Sequence, residues 1–358
     1  MKKAGIPVEF IDDPFGAGGE RLAEMFREAS PAEKPRLFLV ADYNVVQRRP
    51  GLGSAIGRWT NERGFSLAGA PVILSGGERI KSDGLESVKA LVSAMLAAGL
   101  GAGDTGVALG GGALLDVAGY AAAQFRGGLP LVRIPTTPNA MMDGAFAETA
   151  AVDGPELKDA LSVASVPVFS VIDPGFATTV LDGVWRAGFA EALRFAVVKD
   201  AKLVKRLIAL APAFHDRDEG ALREIVGAAA ELRRKKGGSD FALWAVRRLQ
   251  EMSSFKMPHG HAVSIAVALE LAVASVKCYL PAGERDALLG ALAASGAGEA
   301  IGHNRHLISY VDSLCRGLGD WRLSTGSDKL VYPAGAGKSV EDDFPDAGTV
   351  KEALNLIK

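Results

Sequence analysis

The residues whose types and spacing could do chemistry fall in a few short runs. Leu109-Gly110-Gly111-Gly112-Ala113 sets three glycines in a row. Without Cβ atoms such a backbone can approach a pyrophosphate closely, and a helix opening there would add free N–H groups and a favourable dipole. The run is not G-x-G-x-x-G, so the ordinary dinucleotide fingerprint is absent, and a tight turn that simply needs small residues is the other reading. Asp42, after the apolar run Leu37-Phe38-Leu39-Val40, could accept hydrogen bonds from a ribose diol or serve only as a turn former. Pro135-Thr136-Thr137 closes another apolar run, where sheet ligands bind. Histidine is scarce, with five in 358 residues, and two of the five stand together in Pro258-His259-Gly260-His261. His215, His303 and His306 lie in polar stretches and read as surface residues. No nucleophile elbow, CxxC pair, Walker loop or HExxH helix occurs.

The elements that must position these residues follow from the apolar pattern. Short β-branched runs at 37–40, 72–74, 105–109, 131–135 and 168–172 alternate with Ala/Leu-rich helical stretches at 85–98 and 113–124. Continuous apolar strands separated by helices predict a mainly parallel sheet covered on both faces. After Asp173-Pro174 the pattern turns helical, roughly over 176–181, 184–211, 218–237, 240–252, 259–278, 282–295 and 303–316, with one late strand-like piece at 328–332 before the Gly-rich 334–337. The expected fold class is α/β + all-α: an N-terminal Rossmann-like parallel-sheet domain, 1–173, and a helical domain, 174–358. Two domains suit the length.

Composition narrows the function classes. The 40 Lys+Arg against 42 Asp+Glu give a net charge of −2, which leaves no electrostatic footprint for nucleic acid or an acidic membrane. The apolar run 262–276 contains Glu270 and reads as a buried helix, not a membrane span. The basic start, Met1-Lys2-Lys3, meets Glu9, Asp12 and Asp13 before any signal-like apolar stretch. Two cysteines are too few for a disulfide scaffold. The expectation is a soluble, cytoplasmic protein with a small-molecule partner and neither nucleic acid nor membrane.

Together the motifs resemble a known family. Gly110-Gly111-Gly112-Ala113-Leu114-Leu115-Asp116-Val117-Ala118-Gly119-Tyr120-Ala121-Ala122-Ala123 is similar to the GGG-x-x-x-D-x-x-G-x-x-A segment of 3-dehydroquinate synthases, members of the sugar phosphate cyclase superfamily with the 2-epi-5-epi-valiolone and 2-deoxy-scyllo-inosose synthases. In order there follow matches at Gly76-Gly77-Glu78-Arg79-Ile80-Lys81, Arg133-Ile134-Pro135-Thr136-Thr137, Arg186-Ala187-Gly188-Phe189-Ala190-Glu191 and Pro258-His259-Gly260-His261-Ala262-Val263. The resemblance covers roughly 36–275 and implies a nucleotide-binding α/β domain followed by a helical metal-carrying one. It implies NAD, a divalent metal (zinc or cobalt), and oxidation, elimination, reduction and ring closure on a phosphorylated sugar, in a homodimer. By resemblance Asp42, Glu78, Lys81, Gly111, Gly112, Asp116, Thr136 and Thr137 would line the NAD site. Asp143 would touch nicotinamide or substrate, and Lys158 would join it in catalysis.

The catalytic half departs from the family pattern. Its D-x-x-x-x-x-K segment reads Asp143-Gly144-Ala145-Phe146-Ala147-Glu148-Thr149, so a neutral hydroxyl stands at the lysine. Lys158-Asp159 keeps only the lysine of a K-N pair, and Arg194 stands where lysine is expected. Among the implied metal ligands Glu191 and His259 match, but aligning 240–249 with the family's D-F-G-H-W-x-x-H-x-L places Leu243 at the ligand histidine and Arg247 at the second histidine. Leucine has no lone pair to give. Just upstream, Arg233-Arg234-Lys235-Lys236-Gly237-Gly238 replaces a longer connection. His261 could substitute only if the turn before it is not helical, because helix positions two apart point about 200° away from each other. Arg194 and Arg247 could supply cationic charge in place of the metal and could grip phosphate or carboxylate. The expected function is a divergent, NAD-using dehydroquinate-synthase-like enzyme acting on a sugar phosphate or polyol, in specialised biosynthesis and without need of a metal. The competing expectations are an orthodox cyclase and an inactive homologue kept as a binding or structural subunit.

Overall fold

The computed structural model describes residues 5–30, 35–303 and 305–357; the Met1–Lys3 start and the side chain of His303 lie outside them. The chain forms two compact units, Met1–Val180 and Leu181–Lys358.

The first unit runs β1 (Val8–Phe10), α1 (Gly19–Ala29), β2 (Arg36–Asp42), α2 (Tyr43–Arg48), α3 (Leu52–Glu62), β3 (Ser66–Leu67), β4 (Val72–Leu74), α4 (Glu86–Ala97), β5 (Thr105–Gly110), α5 (Gly112–Gln124), β6 (Leu131–Pro135), α6 (Pro138–Met142), β7 (Thr149–Val152), β8 (Leu161–Ala164) and β9 (Phe169–Ile172). The main sheet has the order β1-β9-β6-β5-β2-β3, every pairing parallel, and β4 shares the outer edge of β2 with β3. Every residue of β5, β6 and β9 is buried, as the continuous apolar runs predict for strands covered on both faces. Leu91 and Met95 of α4 with Leu114, Val117 and Ala121 of α5 form one core with Phe38, Val40 and Ala108 of the sheet. The chain leaves β2 towards β4 and leaves β5 towards β6, on the opposite side. Strand order thus reverses between β2 and β5, and the carboxyl ends there, Asp42 and Gly110, flank the place where such sheets take ligands.

Several elements were not legible as strands. β1 extends the sheet beyond β9, and β7 and β8 form a separate antiparallel hairpin, Thr149↔Ala164 to Val152↔Leu161. These are short pieces with exposed positions that carry little periodic signal.

The second unit contains α7 (Asp182–Ala196), α8 (Ala201–His215), α9 (Glu219–Lys236), α10 (Leu243–Met252), α11 (His259–Val276), α12 (Ala282–Ala294), α13 (Glu299–His303), α14 (Val311–Thr325), β10 (Lys329–Pro333), β11 (Ser339–Asp343) and α15 (Ala347–Leu356). The helix expected over 184–211 is two helices. Asp200 breaks it, because its Oδ1 accepts from the N–H groups of Lys202 and Leu203 and starts α8 afresh. The helix expected from 303 to 316 is displaced, with α14 beginning only at Val311. The late strand gains a partner, β11, in an antiparallel hairpin. α11 is long and apolar enough to cross a membrane, but 72% of that stretch is buried, and α7, α10 and α15 pack around it as a core helix.

Candidate functional site

In the first unit the glycine run does what its composition allows. β5 ends at Gly110, Gly111 is the N-cap of α5, and no side chain caps the helix. The first-turn N–H groups of α5 therefore lack a side-chain acceptor, and a Cβ on Gly112 would meet nothing within 4 Å, so open space lies before the helix. Beside it at the end of β6, Thr136 is fully buried, and among the described residues its Oγ1 has no hydrogen-bond partner. Thr137 is differently occupied: its Oγ1 accepts from Ala140 N at 3.3 Å and starts α6. Uncapped N–H groups, open space and an orphaned hydroxyl at a strand-order reversal fit a dinucleotide's phosphates.

Asp42 serves as a helix cap. Its Oδ1 accepts from Asn44 N at 2.8 Å and starts α2. Its other oxygen lies against Gly76, where an added Cβ would be only 2.0 Å from Oδ2. That is why the Gly76-Gly77-Glu78 turn can cross the end of β2.

Glu78, Lys81, Asp116, Asp153, Lys158 and Asp159 form one ionic cluster. Lys81 Nζ donates to Asp116 Oδ2 at 2.6 Å and to Asp159 Oδ1 at 2.7 Å. Lys158 Nζ donates to Asp153 Oδ1 at 3.0 Å and Glu78 Oε2 at 3.1 Å, with Asp159 Oδ1 at 3.6 Å. The β7–β8 hairpin delivers 153–159, and Asp153 N donates to Lys81 O at 2.9 Å, which locks it to the turn after β4. Burial works to lower the Lys81 pKa, but Asp116, Asp159 and Glu78 outweigh it and hold the ammonium above the ordinary lysine range. The two ammonium groups lie inside, their side chains 7% and 3% exposed, while Asp116 and Asp159 keep 28% and 26%. What a ligand meets is therefore mainly carboxylate oxygen.

Two family-motif residues turn out to be structural staples. Arg133, buried in β6, donates from Nη1 to the carbonyls of Gly144 and Ala147 and from Nη2 to that of Ser165, tying down the segments around β7 and β8. A Cβ on Gly119 would lie 2.8 Å from Ser165 Oγ and 3.0 Å from Ala150 Cβ, so that glycine lets α5 press on β7. Asp143 follows α6, half-buried, with its N–H on Asn139 O, and Thr149 is exposed at the start of β7.

In the second unit α7 carries Glu191 and Arg194. Arg194 donates from Nε at 3.0 Å and from Nη2 at 2.7 Å to one oxygen, Glu191 Oε1, and both side chains are 2% exposed. Arg247 of α10 places its guanidinium 5.5 Å from the Trp321 ring centroid. His259 is the first residue of α11, and its Nδ1 is 3.4 Å from Gln250 Oε1. His261 points elsewhere. It lines a small cavity with Gly183, Arg186 and Ser264, and its Nε2 is 3.1 Å from where a Gly183 Cβ would sit. The two histidines diverge because His259 already belongs to the helix. Among the described residues no three of His, Cys, Asp or Glu come together as a metal site. Leu243, half-buried at the start of α10, offers no donor atom. The donor set does not fit a three-ligand divalent metal. Sequence reasoning missed Gln250, whose buried Nε2 has no partner among the described residues, and Glu270, which accepts from Trp244 Nε1 at 2.7 Å inside α11.

A parallel-sheet unit with a glycine-cradled helix start is followed in this chain by a helical unit. The family profile for the 3-dehydroquinate synthase N-terminal region matches residues 71–186. The 3-dehydroquinate synthase of Aeropyrum pernix is 31% identical over 317 residues, 82% of this chain and 87% of that enzyme. That of Pyrobaculum islandicum is 32% identical over 228 residues, which is 60% of this chain and 65% of the relative, just under two thirds of its length. Among solved structures, 2-epi-5-epi-valiolone synthase from Streptomyces hygroscopicus, with NAD+ and Zn2+ bound, matches with a TM-score of 0.84 at 24% identity, covering 100% of this chain and 98% of that one. A 2-deoxy-scyllo-inosose synthase complexed with carbaglucose-6-phosphate, NAD+ and Co2+ matches at 0.75 and 18% identity over 99% of both chains. These two likenesses establish the fold. With the Aeropyrum match, the chain belongs to the 3-dehydroquinate synthase-like family of sugar phosphate cyclases.

Proposed function

We propose that the protein is an NAD-using enzyme of this family that acts on a hydroxyl-rich, polyol-like substrate in specialised biosynthesis. The observation that carries the reading is the uncapped Gly111–Gly112 start of α5, which opens at the reversal of strand order beside the orphaned Thr136 hydroxyl. Gly111, Gly112 and Thr136 would hold the cofactor's phosphates, and Asp116, Lys81 and Glu78 would accept or donate to its ribose and amide groups. When bound, NAD+ supplies a hydride acceptor for one carbinol carbon. Beyond the residues given to the cofactor, the part-exposed Asp159 carboxylate beside Lys158 favours a substrate that brings hydroxyl donors. Four carboxylates face two lysines there, both lysines are engaged by those carboxylates, and Thr149 adds no charge. Asp143 and Lys158 are assigned to the substrate on the resemblance to the family's motifs. The family resemblance also implies a homodimer, which light scattering on the purified protein checks.

A second reading, an orthodox cyclase that eliminates phosphate, is favoured by the 31% identity across 87% of the Aeropyrum enzyme. One experiment separates the readings. The purified protein is titrated with NAD+ by calorimetry, then incubated with NAD+ and either free polyols or sugar phosphates, with NADH absorbance and phosphate release followed together. NAD+ binding with turnover of free polyols supports the proposal. Ready phosphate release supports the orthodox cyclase, and no NAD+ binding at millimolar concentration supports an inactive homologue.

A further inference from the structure

We infer that the helical unit uses the guanidinium of Arg194 as an internal cross-link in the role a divalent ion would otherwise fill, and that the unit is closed without metal. The inference deepens the proposed function by describing how its helical half is built, and it stands on the geometry of α7 and of the connection between α9 and α10.

Arg194 uses every donor group of its planar fork. Nε and Nη2 reach Glu191 Oε1, while Nη1 reaches the carbonyl oxygens of Ser239 at 2.5 Å and Phe241 at 3.4 Å. One buried cation thus joins a carboxylate on α7 to the backbone that leads directly into α10 and to Leu243. The same stretch is held from a second point. Lys199, just after α7, donates from Nζ to the carbonyls of Lys236 at 2.9 Å and Gly237 at 3.0 Å, and to that of Gly238. The carbonyls of 236, 237, 238, 239 and 241 therefore all accept from side-chain cations of α7 or the turn that follows it. The basic residues 233–236 are not a connection but the last turn of α9, and the link to α10 is only 237–242: no chain has to loop out to bring a histidine to the carboxylate.

The chemistry requires arginine. A metal ion satisfies a carboxylate and fixes several ligands from different elements at once. A guanidinium can do the same because its donors point in fixed, separate directions, whereas a lysine ammonium is a point charge on a flexible stem. Glu191, nearly without solvent access, needs a permanent countercharge in either design. With Arg194 bonded to Oε1 and Leu243 beside the connection, the carboxylate already has its cation.

The test uses the purified full-length protein. Zinc and cobalt are measured per chain by elemental analysis, and melting is followed with added ZnCl2, CoCl2 or EDTA. Less than about 0.1 metal per chain and melting unmoved by any addition are expected. Stoichiometric metal whose removal lowers the melting temperature would overturn the inference. The combined variant Arg194→Ala with Leu243→His then removes the guanidinium and restores a donor, and it should gain a zinc-dependent rise in melting temperature that wild type lacks. A folded double variant indifferent to zinc would also overturn it; if the variant does not fold, the wild-type measurements decide alone. NAD+ titration of the wild type keeps the two proposals apart. NAD+ binding in a zinc-loaded protein sinks the cross-link and spares the proposed function, and a metal-free protein that ignores NAD+ does the reverse.

Discussion

Gly76 rests directly on the Asp42 carboxylate: a Cβ at position 76 would lie 2.0 Å from Oδ2 and 2.6 Å from Cγ. The carboxylate cannot swing away freely, because Oδ1 accepts from Asn44 N and caps α2. Gly76→Ala therefore forces either the turn before Glu78 or the cap to move. We expect a loss of roughly 1–3 kcal/mol in urea-denaturation stability, the usual cost of overpacking a fixed contact. Asp42→Ala loses a cap, about 1 kcal/mol. Because the two residues share one contact, the double variant should be less destabilised than the sum of the singles, and additive effects would show that the clash is relieved elsewhere.

Asp116 accepts from Lys81 at 2.6 Å yet retains access to solvent, so its position fits both a structural and a cofactor role. Asp116→Ala should weaken NAD+ binding about 10- to 100-fold, the value of a charged hydrogen bond of about 1.5–3 kcal/mol. Asp159 remains as a partner of Lys81 at 2.7 Å, so the chain should stay folded. Calorimetric titration alongside far-ultraviolet circular dichroism checks both halves. Unfolding would make Asp116 a structural residue.

These two cases show what the chain discloses before folding and what it withholds. β2, β5, β6 and β9 are legible because burial on both faces leaves uninterrupted apolar runs, and the glycine turn is legible because it follows one of them. The i,i+3 spacing of Glu191 and Arg194 already places them on one face of α7, and the 100° step of a helix already separates His259 from His261. Of the ionic cluster, Glu78, Lys81, Asp116 and Lys158 are recognisable singly, but Asp153, Asp159 and the network itself are not. Asp153 and Asp159 enter it through the β7–β8 hairpin, whose four-residue strands carry no clear alternation. Gln250 and Arg133 act through contacts to distant residues and backbone carbonyls, which no local pattern encodes.

The Glu191–Arg194 pair also has a signature in stability. Arg194→Met removes both guanidinium bonds to Glu191 Oε1 and should cost about 3–5 kcal/mol, the usual penalty for breaking a buried pair by removing one partner. Glu191→Leu with Arg194→Met removes both charges and should recover a large part of that loss. Guanidinium-denaturation midpoints of the single and double variants decide it. A double variant no better than the single would mean that the carbonyls of Ser239 and Phe241 depend on Arg194 more than Glu191 does.

Glu270 gives the helical unit a pH-dependent contribution to stability between about 4.5 and 7. It is fully buried in α11, and its Oε2 has no hydrogen-bond partner among the described residues. Burial raises its pKa to about 7, against the opposing pull of the Trp244 N–H and the charge of Lys277. The unfolded carboxyl titrates near 4.5, so between these values the folded protein binds a proton that the unfolded chain has released. The stability contributed by that proton is complete below pH 4.5 and is lost as pH rises through 7, a change of roughly 3 kcal/mol. Glu270→Gln keeps an acceptor for Trp244 and cannot ionise, so it should remove the slope and leave the variant more stable than wild type at pH 8. Urea midpoints at pH 5, 6, 7 and 8 for both proteins measure the difference. Parallel curves would show that Glu270 titrates near the usual carboxylate value and that solvent reaches Oε2.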